Sequence, residues 1–515
     1  MFPLKNKYSF LIIFGIFLLA VISRYQAISW NLFPHGDVFQ EVLIARALPK
    51  TKLFVLPYKG GVPRRVAHLT DQVVITDKPP LWVFFISIFS EIFKQDTFSV
   101  AKYLSFIISI LVMGIFYKLN RVFFDKLTTF ASLLIFSFSY LMIDFAGNGS
   151  RYMLQTFLLL SLIYVLVSKS WRGLKIVITS SSLFALLFLV NYPMITLAPA
   201  VFFGLYQKKV LTKKNLLLSF GLIALWWSPW ILYNLHNYHL PLWITNLSRI
   251  ATGLGIYSSS ASWENGKVIF DEYLPPKTVF EYLRLIPSYI FPNTIFLLKK
   301  MLVILPLLSI FLYLALPLRI LTLMKDKKKV IFFLMTLAHV LMFLSWRVLK
   351  FRYLVSFYPL FLISGLLAIM NFKKSLRIPI LVGTLICTLL ISLKIYQKNS
   401  YHTYYYDGVF TEDQFREFSE ASYMDKLVNY EKLAKKIPKE KVVSTDFVRA
   451  YFLDEPAYLI NPLSLKEHFQ EIIDAYQIEY LWLGNSIDQQ DLAMFPEIEL
   501  IEEQKGEYLY KIGGK

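Results

Sequence analysis

Long apolar runs recur along this chain from Tyr8 to Ile391, and they constrain its fold more than any other feature. A helix needs roughly 20 apolar residues to cross a bilayer, or about 17 at the short end. Eleven segments are candidate spans, of which 193–206 is short: residues 9–28, 99–117, 128–145, 152–168, 175–190, 193–206, 215–232, 301–318, 330–345, 353–370 and 378–393. Only 17% of the 515 residues are charged, where soluble domains average about 25%. The pattern predicts a polytopic α-helical membrane protein with about eleven spans.

The net charge of +19 would suit nucleic acid, but its placement argues otherwise. Basic residues gather in short clusters between apolar runs, such as Lys118, Arg121 and Lys126, or Lys208, Lys209, Lys213 and Lys214. Six such clusters hold twenty basic residues, with only Asp125 and Asp326 among them. That is the bias of cytoplasmic loops, so nucleic acid is excluded as a partner. The N-terminus is then cytoplasmic, and the first apolar segment reads as a retained anchor. Cys387 is the single cysteine, so no intrachain disulfide forms.

Three regions face outward on this alternation. The first is the loop 30–98, whose apolar stretch Pro79–Phe93 reads as an interfacial helix opened by two prolines. The second is the aromatic-rich segment Tyr233–Lys300. The third is residues 394–515, where 14 basic residues meet 22 acidic ones. Apolar runs there shrink to strand length: Val442–Ser444, Ala457–Ile460, Tyr480–Leu483, Ile498–Ile501 and Tyr508–Ile512. With a helical pattern over Leu465–Tyr476, they predict a small extracytoplasmic α/β domain. The predicted division is a transmembrane catalytic domain over 1–393 and this domain over 394–515.

Charges beside apolar helices are costly and need a reason. Asp37, placed just after the first span, suits a partly desolvated general base. It equally suits the N-cap of the amphipathic run Val38–Leu48. Glu41 lies four residues on, on the same helical face. Arg46 reads as a solvated or phosphate-facing side chain. Lys78 is followed by two prolines that fix its backbone, which suits a phosphate grip; an interfacial lysine reaching for water is the plainer alternative. Arg347, Lys350 and Arg352 crowd one outward turn, where basic residues should be scarce. An anionic ligand explains them, and so would a different topology. Asn148, Arg151 and Gln155 mark another outward turn, where Arg151 could meet a sugar or a phosphate. His35 and His68 show no metal-ligand spacing. No residue pattern asks for a cofactor; a divalent metal is compatible with the acidic groups but not indicated.

Asp37-x7-Ala45-Arg46-x-Leu48, Asp77-Lys78-Pro79-Pro80-Leu81 and Lys350-x-x-Tyr353-Leu354-x4-Pro359, in this order, resemble the GT-C membrane glycosyltransferases. The resemblance is to the group that includes the lipid A aminoarabinose transferase and bacterial enzymes like the protein O-mannosyltransferases. It covers roughly residues 1–395. It implies a sugar donor on a polyprenyl phosphate and transfer outside the cytoplasm, with inversion at the anomeric carbon. The acceptor is a hydroxyl on a lipid, glycan or protein. Asp37 matches the family's first-loop base, Lys78 the lysine at the donor phosphate, and Lys350 and Tyr353 the late-loop motif. Three departures stand out: Val38 follows Asp37 where relatives often have Glu, Gln155 replaces an acidic residue, and Asn191-Tyr192-Pro193 replaces a lysine and glycine. A transporter or flippase of lipid-linked sugars would also bind phosphate, but it asks for polar groups across the midplane and repeated halves. A membrane-anchored scaffold would not need eleven spans.

Overall fold

A computed structural model describes residues 6–31, 34, 37–55, 72–74, 78–238, 258–264, 267–274, 279–345, 351–370 and 372–399. In the C-terminal part it describes 429–438, 443–445, 449, 451–453, 457–458, 477–483, 498–504 and 507–513. Arg347, Lys350, Asp77, His35, His68 and the predicted helix over Leu465–Tyr476 lie outside these residues.

The described chain is mostly helical, because backbone in an apolar slab has to satisfy its hydrogen bonds within its own segment. The first half runs α1 (Asn6–Trp30), α2 (Asp37–Thr51), α3 (Pro80–Phe93), α4 (Thr97–Phe123), α5 (Lys126–Ser137), α6 (Tyr140–Gly147), α7 (Tyr152–Val167) and α8 (Gly173–Val190). A 3-10 turn (Tyr192–Leu197) leads into α9 (Ala198–Gln207), followed by α10 (Lys213–Tyr238). The second half runs α11 (Val279–Ile304), α12 (Pro306–Leu323), α13 (Lys327–Leu344), α14 (Leu354–Ile369) and α15 (Lys374–Asn399). Eight of the predicted spans each fall on one helix to within a residue, while 128–145 covers α5 and α6, 193–206 the 3-10 turn and α9, and 301–318 the end of α11 and most of α12. Among the described residues, four helices are long and apolar enough to cross a membrane alone: α4, α8, α10 and α15. The pair α5–α6, bent by 55°, makes a fifth. The chain is a multi-pass membrane protein.

α7 and α14 form the centre. Phe157 and Tyr164 are the exceptions to full burial in α7, and Phe361 is the exception in α14. A helix that is apolar all round belongs inside a bundle. α4 and α8 pack on α7, while α12 and α13 pack on α14. Outward on α15, Val382, Ile386, Leu390 and Leu393 are exposed, as a lipid-facing stripe should be.

Two features depart from the predicted organisation. Residues 279–300, read as part of an outer connection, form the helix α11 together with the first four residues of the predicted span 301–318, despite Pro287 and Pro292. The break that starts the next segment lies at Leu305, before Pro306, which suits a helix's first turn. The two connections read as outer are also joined. β1 (Gln72–Val74) pairs antiparallel with β2 (Ser258–Glu264), which pairs with β3 (Lys267–Leu274).

α3 forms where the proline pair placed it, with Pro79 at its N-cap and Lys94 closing it in the left-handed region. One face buries Trp82, Val83 and Ile86, and the other leaves Ile88, Ile92 and Phe93 exposed.

The C-terminal sheet has the order β5-β4-β6-β8-β7, with β4 (Val443–Ser444), β5 (Ala457–Tyr458), β6 (Tyr480–Leu483), β7 (Ile498–Gln504) and β8 (Glu507–Ile512). β4 runs parallel to β5 and β6; β8 runs antiparallel to β6 and β7. The five predicted strands are all present. Beneath the sheet, Arg449 Nε donates to Glu507 Oε2 at 2.7 Å, and Tyr430 Oη donates to Glu507 Oε1 at 3.0 Å.

Candidate active site

α2 turns two opposite faces to its surroundings. Asp37 and Glu41, one turn apart, point towards the helical bundle, and Glu41 is 1% exposed. On the far face Phe39 and Arg46, two turns apart, meet the C-terminal region. The Tyr451 ring packs edge-on against Phe39 at 5.4 Å, and the Arg46 guanidinium lies 5.1 Å above it. Arg46 also reaches Asp96 at 3.5 Å, so it serves this contact rather than the site. Burial, with Asp96 nearby, pushes the Tyr451 phenol above its ordinary range.

Asp37 is the first residue of α2, and three cations from three other segments converge on it. Lys78 Nζ lies 2.7 Å from Asp37 Oδ1. Arg352 Nη2 lies 2.9 Å from Oδ2, and Arg151 Nη2 lies 3.7 Å from the same oxygen. Arg151 also pairs with Glu41. Lys78 is 2% exposed, yet Asp37 keeps 15% of its side chain open to solvent. Asp37 is therefore the least buried member of the cluster, although its Oδ2 is itself buried.

Each cation is held by local structure. Lys78 sits just before Pro79, and its backbone carbonyl accepts a hydrogen bond from Tyr192 Oη at 3.2 Å. Arg151 ends the turn Asn148-Gly149-Ser150-Arg151. There Ser150 N donates to Asn148 Oδ1 at 3.0 Å, and Trp82 Nε1 donates to the Gly149 carbonyl at 3.1 Å. Gly149 adopts φ +79°, which favours glycine, and an added Cβ would also crowd Ala101 and Phe98. Arg352 lies in the 3-10 turn Phe351–Tyr353 before α14. Tyr353 is buried among aromatics, stacked on Phe343 at 4.5 Å and edge-on to Tyr152 at 6.1 Å. Gln155 is not part of the outer turn; it lies one turn inside α7, fully buried.

The described cluster holds three cations and two carboxylates, a surplus of one positive charge. Such a site attracts an anion, and its arginines can present paired donors to a phosphate. Among the described residues no three His, Cys, Asp or Glu side chains group closely enough to hold a metal ion.

Sequence reasoning passed over Arg24, which is 1% exposed within α1. Its Nη1 donates to the carbonyls of Ala20 and Ser137, at 3.2 and 2.9 Å, where α5 ends and the bent pair breaks. It also passed over Lys102 of α4, whose Nζ donates to the carbonyls of Ile28 and Asn31, at 3.2 and 2.9 Å. A charge inside an apolar run is itself the signal for both.

Residues 77–233 match the family described as dolichyl-phosphate-mannose-protein mannosyltransferase. No curated protein sequence matches the chain. Among solved structures, ArnT from Cupriavidus metallidurans bound to undecaprenyl phosphate is 10% identical, with a TM-score of 0.54 and 97% of each chain covered. Its apo state gives a TM-score of 0.58 at 10% identity, again over 97% of each chain. AglB, the archaeal oligosaccharyltransferase of Archaeoglobus fulgidus, in complex with an inhibitory peptide and a dolichol-phosphate, is 11% identical. Its TM-score is 0.56, covering 93% of this chain and 70% of that one. The chain therefore shares the fold of ArnT and AglB, and over residues 77–233 it matches the mannosyltransferase family.

Proposed function

We propose that this protein is a glycosyltransferase that moves a sugar from a polyprenyl-phosphate donor to a hydroxyl group on a lipid, glycan or protein, with inversion at the anomeric carbon. The observation that carries the reading is the convergence of Lys78, Arg151 and Arg352 on Asp37. The neighbours add support: ArnT was solved with undecaprenyl phosphate and AglB with dolichol-phosphate and a peptide.

In this reading the three cations, joined by Arg347 and Lys350, hold the donor phosphate. Tyr353 backs Arg352, and Glu41 holds Arg151. The phosphate takes over the cations that Asp37 engages in its absence. Losing those partners makes the carboxylate more basic, since nearby positive charge favours its ionised form. Asp37 then accepts the acceptor hydroxyl proton. The acceptor oxygen bonds to the anomeric carbon from the face opposite the phosphate. The bond from that carbon to the phosphate oxygen breaks, and polyprenyl phosphate leaves with the electron pair. Developing negative charge on the leaving oxygen is stabilised by cations already in position. They supply the charge a divalent metal would bring, so the scheme calls for no cofactor.

The basic clusters support transfer on the extracytoplasmic face, with the N-terminus in the cytoplasm. The same reading divides the chain into a membrane domain over 1–393 and an outer domain over 394–515. The test is to supply purified protein with a polyprenyl-phosphate sugar and a mixture of hydroxyl acceptors. Release of polyprenyl phosphate, coupled to glycosylated acceptor, is the expected result. Movement of the intact donor across a vesicle membrane, without release, would overturn it in favour of a flippase.

A further inference from the structure

Behind the three cations lies a buried set of polar side chains that the proposed reaction does not use. Asn191 Nδ2 donates to Gln155 Oε1 at 2.9 Å. Gln155 Nε2 donates to Ser356 Oγ at 3.2 Å. His339 Nε2 lies 2.8 Å from Ser356 Oγ, and Ser356 Oγ donates to the Tyr353 carbonyl at 3.1 Å. Gln155, Ser356 and His339 show no exposure, and Asn191 only 6%. Unpaired polar groups in such a place cost about 1–3 kcal/mol each, so their pairing is a strong geometric restraint.

Proton directions follow from the partners. Ser356 has one proton, spent on the Tyr353 carbonyl. Its oxygen then accepts from Gln155 and from His339, which places the His339 proton on Nε2. His339 Nδ1 has no hydrogen-bond partner among the described residues. One directed chain therefore runs from α8's end through α7 to α14, with His339 bringing in α13.

Three of the four nodes sit next to a cation carrier. The Gln155 backbone amide donates to the Arg151 carbonyl at 3.0 Å, one turn away on α7. Asn191 precedes Tyr192, whose hydroxyl holds the Lys78 carbonyl. Ser356 lies one turn past Arg352 and closes on Tyr353. Three segments, distant in sequence, are thus tied to one amide side chain.

We infer that Gln155, with Asn191, Ser356 and His339, is a positioning network that fixes the mutual spacing of Lys78, Arg151 and Arg352 for an anionic lipid headgroup. None of the four touches the headgroup; they act through the cations. The inference rests on the proposed function for the identity of the ligand and on the hydrogen bonds for the network itself.

The test uses the purified full chain and undecaprenyl phosphate as probe, with acylation of Lys78 by an amine reagent read by mass spectrometry as a second measure. Gln155→Leu and Ser356→Ala should each weaken probe binding about tenfold or more, and Lys78 should label faster in both. Ser356→Thr keeps the hydroxyl and should restore both readings to within about threefold of wild type. Equal losses in Ser356→Ala and Ser356→Thr would assign the effect to packing and overturn the network. Unchanged binding in Gln155→Leu would overturn it as well. Should the wild-type protein fail to bind the probe, the ligand assignment falls, and Lys78 labelling alone decides the network: unchanged labelling in Gln155→Leu rejects it.

Discussion

Lys78 Nζ lies 2.7 Å from Asp37 Oδ1, across 41 residues of chain, in a pair whose lysine is buried and whose aspartate is partly open. A donor phosphate arriving through that opening would compete with Asp37 for the same ammonium. Lys78→Ala removes one charge-assisted hydrogen bond, a contribution of about 1.5–3 kcal/mol. Apparent donor affinity should fall about 10- to 100-fold, measured by binding of undecaprenyl phosphate to the purified variant. Unchanged affinity would remove Lys78 from the phosphate site.

Asp37→Asn should separate binding from chemistry. The three cations remain and lose their resident anion, so headgroup binding should hold or tighten. Loss of a general base should lower turnover by about 10²–10⁴. Single-turnover release of polyprenyl phosphate checks the rate, and full turnover in a folded variant would exclude Asp37 as the base.

Glu41 is a buried carboxylate paired with Arg151. Removing one partner of a buried pair leaves a charge uncompensated, at about 3–5 kcal/mol. Arg151 keeps Asp37 at 3.7 Å, so the lower end applies. Glu41→Ala should lower the thermal midpoint in detergent clearly, and a midpoint equal to wild type would show the pair to be dispensable.

Tyr451 links the C-terminal region to the helix that carries Asp37. Its phenol is raised above the ordinary value of 10.0 by burial. The folded state therefore holds its proton more tightly than the unfolded chain. That stability is complete below pH 10 and declines as the pH climbs past it. Unfolding followed from pH 8 to 11 should show an alkaline loss that Tyr451→Phe reduces.

Two glycines make a paired test of packing. A Cβ at Gly147 would fall within the backbone of Ala27, where α6 crosses α1. Gly147→Ala should cost about 1–3 kcal/mol or more, because backbone has to move. Gly114 of α4 has nothing within 4 Å of the same position. Gly114→Ala should be neutral or stabilise by up to about 1 kcal/mol through helix propensity. Similar thermal midpoints for the two variants would contradict this packing.

Much of the helical plan is legible because apolar length is a one-dimensional signal. α11 escaped because Pro287 and Pro292 read as breakers, whereas neighbouring segments re-satisfy the backbone groups that prolines free in a bundle. The pairing of β1 with β2 joins residues nearly two hundred positions apart, which no local pattern encodes. The site's charged residues were legible as charges out of place. Their convergence was not, since Arg151 reaches Asp37 only through the turn that Gly149 and Trp82 shape. Gln155, Asn191, Ser356 and His339 are ordinary polar residues in apolar runs, and only three-dimensional contact reveals them as one set.

The bend between α5 and α6 shortens the reach of that pair. Those helices have 12 and 8 residues, which laid end to end would reach ~30 Å, about the thickness of a bilayer's hydrocarbon. Turned by 55° at their junction, they advance only ~25 Å along the axis of α5. When α5 stands upright in the bilayer, the turn that ends in Arg151 stops short of the headgroup plane. A long-chain lipid would then bring its polar end to that turn laterally from its own leaflet, without first leaving the membrane.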